Sequence, residues 1–249
     1  MNLIDEIRRH PITFFTRYNW QDIHKRIAGK ISYRLYFLTI DIFTISSHHE
    51  GRHHCLLTQL IGIRFWIMAD KDRKKWDLRY LKRLGGTDPS PILKKHWGLA
   101  SCGNALDIAC GNGRNSIFLA AKGFVVDAVD ISTVATNHLA GRNPHINVIC
   151  ADLDTWDIPQ NRYELIINVR FLDRRLFPLI QNGLKSGGVL IVESFMGGKM
   201  DNYCLNQNEL LRAFLSFRIV YYEEKKTNLS KNFDHSASLV AIKTGESSP

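Results

Sequence analysis

Leu106-Asp107-Ile108-Ala109-Cys110-Gly111-Asn112-Gly113-Arg114-Asn115 reads as the end of a strand, a bend and the start of a helix. Two glycines one residue apart allow a bend that side chains would obstruct, and bare backbone N–H groups bring a ligand close to the turn. Seventeen residues past Gly113 a second strand-like run, Val125-Val126-Asp127-Ala128-Val129-Asp130, ends in a carboxylate suited to gripping a ribose diol. Gly-x-Gly alone is also what an ordinary tight strand-to-helix turn needs. Strand, acid, glycines, helix and second acid in this order describe a nucleoside pocket.

The rest of the loop bears on which nucleoside. A dinucleotide fingerprint needs a third glycine where the helix packs on the strand, and here Asn115 and Ser116 follow Gly113 and Arg114. A pyrophosphate also prefers no nearby anion, whereas Asp107 places a carboxylate just before the turn. An acid there suits a cation. S-adenosylmethionine carries an ammonium and a sulfonium and no phosphate.

Outward from this loop, short apolar runs alternate with amphipathic ones, the pattern of a parallel sheet with crossover helices. Strands are expected near Ala105–Ala109, Val125–Asp130, Asn147–Cys150, Tyr163–Val169, Gly188–Phe195, Arg218–Tyr222 and Ser238–Ile242. Helices are expected near Arg114–Lys122, Thr133–Arg142, Arg174–Leu184 and Gln207–Phe214, and in the charged run Asp70–Arg83, which leads into the breakers Gly85-Gly86 and Pro89-Ser90-Pro91. A polar connection between the last two strands suggests an antiparallel finish. The fold class is therefore α/β, a doubly wound, mostly parallel, seven-stranded sheet over residues 69–249. Residues 1–68 form an extension of another composition, with a strand over Ile31–Ile45 and a pairing run over Leu56–Met68, which reads as a β-hairpin.

The chain has 249 residues with 45% hydrophobic and 23% charged residues, a balance that supports a buried core and excludes disorder of the whole. Lys plus Arg number 33 against 24 Asp plus Glu, and the surplus lies in the first 100 residues, where 18 basic residues face 9 acidic ones. In the basic run Lys71–Arg83, Asp72 and Asp77 dilute the local field, and no aromatic-interleaved basic stripe appears, so nucleic acid is not expected as a partner. Phe14, Phe15, Tyr18 and Trp20 with basic neighbours are the residue types of peripheral membrane contact, a weaker reading. No uninterrupted apolar run reaches 20 residues and no secretory leader is written at the N-terminus. Five cysteines, an odd number without a CxxC pair, fit a reducing compartment, and the expected location is the cytoplasm. His48-His49-Glu50-Gly51-Arg52-His53-His54-Cys55 gathers metal-ligating types, but adjacent side chains diverge and no second ligand pair follows, so a polar loop is preferred and no metal is expected.

From about Trp76 to Lys243 the chain resembles the class I S-adenosylmethionine-dependent methyltransferases, and among them the small tellurite-resistance, TehB-like group. The residues that carry this are Trp76-Asp77-Leu78-Arg79-Tyr80, Ala105–Asn115, Val126–Ser132, Phe171-Leu172-Asp173-Arg174-Arg175-Leu176, Leu184–Phe195 and Asn208-Glu209-Leu210-Leu211. The resemblance implies that Asp107, Ala109, Cys110, Gly111, Gly113 and Asn115 line the methionine end, Asp130 holds the ribose hydroxyls, Ile131 packs on the adenine, and Asp152 with Leu153 lies near the adenine amino group. It also implies that Asn168-Val169-Arg170-Phe171 faces the methyl group and a small-molecule acceptor, a thiol or chalcogen oxyanion being one class. Arg170, and secondarily Arg79, are then candidates to pair with an anionic acceptor. Cys110 is read as a small packing residue rather than a nucleophile.

Overall fold

The computed structural model describes residues 70–197, 204–226, 233 and 235–245, and its described chain begins in a helix over residues 70–82 (α1). Asp70 starts this helix with ion pairs to Arg73 and to Lys74, the latter at 2.7 Å, so part of the basic run is spent on local helix support. Pro91–His96 (α2) follows. Here Pro91 opens a helix instead of breaking one, because its missing N–H falls where no helical partner exists. A 3-10 turn, Trp97–Leu99, then leads to the sheet.

The remaining elements are Asn104–Ile108 (β1), Arg114–Ala121 (α3), Val125–Asp130 (β2), Thr133–Leu139 (α4), Ile146–Cys150 (β3), Tyr163–Val169 (β4), Leu176–Gly183 (α5), Leu184–Met196 (β5), Glu209–Ala213 (α6), Arg218–Lys226 (β6) and His235–Ile242 (β7). Seven strands lie in the order β3-β2-β1-β4-β5-β7-β6. Pairing is parallel from β3 to β5, while β7 runs antiparallel between β5 and β6. The expected antiparallel finish is present. β5 starts ahead of its apolar run because Leu184 pairs with Tyr163 before a register shift.

Strands buried on both faces need apolar residues at odd and even positions alike. Leu106, Ile108, Ile166, Leu190 and Val192 face one core cluster with α5 and α6 residues, whereas Ala105, Ala128, Leu165, Ile167, Val189 and Ile191 face the other with α2 and α3 residues. By the two-residue period of strands, Asp107, Asp130 and Glu193 fall on the second of these faces, all in the carboxyl-terminal parts of their strands. The hairpin expected over residues 1–68 and the His48–Cys55 cluster lie outside the described residues.

Candidate active site

The bend after β1 owes its shape to three residues in the left-handed region: Ala109 at φ 53°, Gly111 at φ 57° and Gly113 at φ 76°. Both glycines are also required by their neighbours. A Cβ on Gly111 would stand 2.6 Å from the Tyr80 hydroxyl, and one on Gly113 would collide with the Leu139 side chain. The bend is thus packed from above by α1 and from the side by α4.

Two carboxylates bracket it. Asp130 accepts the Gly111 N–H and the Ser132 N–H, each at 2.8 Å, so it ties the first loop to the second. Burial nevertheless pushes its carboxyl above the usual range, with Asp77 adding to the effect and those N–H groups opposing it. Asp107, 1% exposed, accepts the Ser116 hydroxyl at 2.5 Å. Burial raises it to about 7, while the Ser116 hydroxyl and the charge of Arg114 work in the opposite direction. Two buried acids at adjacent strand ends give this edge a field that suits a cation.

α1 contributes more than cover. Asp77 accepts the Ser132 hydroxyl at 2.6 Å, the Thr133 hydroxyl at 2.9 Å and the Val134 N–H at 3.1 Å, which caps α4 from 55 residues away. Burial would raise its pKa, but these donors outweigh burial and hold the carboxyl below its ordinary range. Burial and the nearby Asp130 raise the Tyr80 phenol far above its ordinary value, so the hydroxyl over Gly111 remains a neutral donor.

The other expected residues divide. Asn168, 1% exposed, stands at the end of β4 beside Ile108 of β1, and its Oδ1 is enclosed without a hydrogen-bond partner. Ile131 and Leu153 are half-buried next to the same edge, and Asp152 accepts the Asp154 N–H at 3.0 Å in the turn after β3. Asn115 is occupied within the protein, since its Oδ1 accepts the Ser90 N–H at 2.9 Å. Cys110 is buried, and burial pushes its thiol well above the usual value, which suits packing rather than attack. Arg79 is exposed with its guanidinium 4.9 Å over the Trp76 ring.

Arg170 adopts φ 64°, a costly conformation for a side-chain-bearing residue, and its N–H donates to the Glu193 carbonyl at 2.6 Å. Its Nε lies 3.7 Å from Glu193 Oε1. Arg174 is committed elsewhere, to Glu209 at 2.5 and 2.9 Å and to the Cys204 carbonyl at 2.8 Å. Asp77, Tyr80 and Glu193 were not singled out as site residues by the sequence pattern, although Asp77 and Tyr80 lie in the Trp76–Tyr80 stretch. Among the described residues no group of three or more His, Cys, Asp or Glu is arranged to hold a metal ion, and no helix is long and apolar enough to cross a membrane.

Residues 105–188 match the family model described as Methyltransferase domain. The chain carries a class I S-adenosylmethionine-dependent methyltransferase domain. No curated protein gives a match. Solved structures agree with the methyltransferase domain in fold. TehB from Haemophilus influenzae superposes with a TM-score of 0.56 at 21% identity, over 68% of this chain and 67% of its own. The N-methyltransferase NodS from Bradyrhizobium japonicum WM9 gives 0.53 at 15% identity, over 62% and 93%. An S-adenosylmethionine-dependent methyltransferase from Mesorhizobium loti gives 0.51 at 17%, over 64% and 100%. The cofactor of the methyltransferase domain is S-adenosylmethionine.

Proposed function

We propose that the protein transfers a methyl group from S-adenosylmethionine to a small-molecule acceptor, and that it is a TehB-like member of its class. The observation that carries this reading is the pair of buried carboxylates, Asp107 and Asp130, bracketing a left-handed glycine bend at the carboxyl edge of the sheet. The residues present fit the donor. Asn168 supplies a buried oxygen that lacks a hydrogen-bond donor, and a bound ammonium would satisfy it. A cation beside Asp107 would favour the ionised carboxylate that burial opposes.

In this reading Asp107 and the Gly111–Gly113 bend receive the methionine end, Asp130 the ribose hydroxyls, and Ile131, Asp152 and Leu153 the adenine. The bound donor supplies a carbon activated by its sulfonium. The chain's own contribution is alignment and exclusion of water, and proximity of this kind is worth roughly 7–11 kcal/mol. Tyr80 closes the bend from α1, and Arg170 lies beside the acceptor. The TehB-like grouping is supported by the Gly-Arg-Asn end of the bend and by the Phe171–Leu176 segment.

Isothermal titration with S-adenosylhomocysteine tests the reading. Micromolar binding by the full chain, weakened at least tenfold in Asp130→Ala, is the expected result. A folded protein that does not bind overturns it.

A further inference from the structure

Glu193 plays no part in the donor site just described, yet it is 9% exposed in the carboxyl-terminal part of β5. Its Oε1 is fully enclosed and accepts no hydrogen bond. Burying a carboxylate oxygen without a donor is costly, and such groups in a native fold call for a partner that the protein itself does not provide. The surroundings are ionic but incomplete. Arg170 Nε approaches Oε1 to 3.7 Å, beyond hydrogen-bonding reach, although the Arg170 backbone is anchored on the Glu193 carbonyl.

Arg114 is half-buried at the start of α3, with its own Nη1 bonded to the Asp88 carbonyl at 2.8 Å, and its charge interacts with Arg170, Asp107, Glu193 and Tyr80. These groups therefore share one neighbourhood, on the sheet face that also holds Asp107 and Asp130. On the far side, Glu193 pairs with Ser238 of β7, and Lys225 of β6 feels its charge. The carboxylate thus lies one strand beyond β4, on the side of β4 away from the glycine bend.

We propose that Glu193 faces the transferring methyl group and accepts the proton of the attacking nucleophile, so that the acceptor is a nitrogen or oxygen group carrying a hydrogen. This rests on the donor site proposed above. The nucleophile's lone pair forms the new bond to the methyl carbon, the sulfur–methyl bond breaks with its electrons remaining on sulfur, and the proton passes to a Glu193 carboxylate oxygen and then to solvent. An oxyanion or a thiolate has no proton to give and would set like charge against Glu193. A neutral amine or a hydroxyl supplies the donor that Oε1 lacks.

Sinefungin is the probe, because it carries an amine where the donor carries its methyl, whereas S-adenosylhomocysteine carries nothing there. Affinities for both are measured by calorimetry on the full chain, on Glu193→Gln and on Glu193→Asp. The wild type is expected to bind sinefungin at least tenfold tighter than S-adenosylhomocysteine. Glu193→Gln should lose most of that preference while keeping its S-adenosylhomocysteine affinity within about threefold, and Glu193→Asp should retain part of it. A preference unchanged in Glu193→Gln, or lost equally for both ligands, overturns the proposal. Absence of S-adenosylhomocysteine binding to the wild type instead overturns the donor site on which it rests.

Discussion

The carboxylate of Asp77 meets the hydroxyl of Ser132 at 2.6 Å, and that hydroxyl in turn accepts the Ala135 N–H at 3.2 Å. Ser132 is the N-cap of α4, so a residue of α1 completes the cap of a helix whose preceding strand ends in Asp130. Asp77→Ala removes three hydrogen bonds and is expected to cost about 1–2 kcal/mol, or roughly 2–8 °C in Tm. The Asp77 pKa is lower in the folded protein than its ordinary value, so its contribution persists above about pH 4 and disappears as the pH falls further. Thermal unfolding of wild type and variant at pH 7 and at pH 3 checks both statements: the difference should shrink in acid.

Asp107 has the opposite sign. Burial raises it to about 7, whereas in the unfolded chain it ionises near its ordinary value of 3.8. The folded state therefore holds a proton that the unfolded state has lost, and Asp107 makes stability fall as the pH rises from about 4 to 7, with the full penalty above that. Asp107→Asn should flatten this part of the Tm-against-pH curve of the ligand-free protein.

The same residue predicts a linked effect on binding. A cationic donor favours ionised Asp107, so its affinity should rise severalfold between pH 6 and pH 8 and its binding at pH 6 should release protons. Calorimetry in two buffers of different ionisation enthalpy measures the release. Asp107→Asn should abolish it.

Gly113→Ala combines an unfavourable φ of 76° with overlap on Leu139. The expected loss is about 2–4 kcal/mol in urea unfolding. Gly113→Ala with Leu139→Ala should be less destabilised than the sum of the two single variants, because the second change removes the overlap.

Cys110 is buried and its thiol is held protonated, whereas Cys102 and Cys150 are exposed. Maleimide labelling of the folded protein followed by peptide mapping should modify Cys102 and Cys150 first and reach Cys110 only on unfolding.

The sheet was legible in the sequence because a parallel strand buried on both faces leaves a run of apolar residues that few other structures need. Val125–Asp130 and Tyr163–Val169 coincide with the expected strands for this reason. The left-handed bend was legible through its glycines. What escaped depends on contacts between distant residues. Pro89-Ser90-Pro91 resembled a break, yet Pro91 begins α2, and the Ser90 N–H is satisfied by Asn115, 25 residues away. Glu193 stood in the Leu184–Phe195 stretch with no role assigned to it, and only the three-dimensional arrangement shows its Oε1 without a donor. Arg174 lies in the Phe171–Leu176 stretch that carried the resemblance, and only the fold shows its fork filled by Glu209 and the Cys204 carbonyl.

That last contact belongs to a wider arrangement around the mouth of the sheet. Arg174 joins the segment after β4 to the start of α6, and Arg175, next in sequence, joins it to Asp154 in the segment after β3 while holding Asp173 at 2.7 Å. Three crossover segments are therefore laced together by two consecutive guanidinium groups that remain partly open to water, where dissolved ions compete with them. The rim behaves as an ionic drawstring: concentrated salt should loosen the three segments from one another, while the apolar sheet beneath keeps its shape.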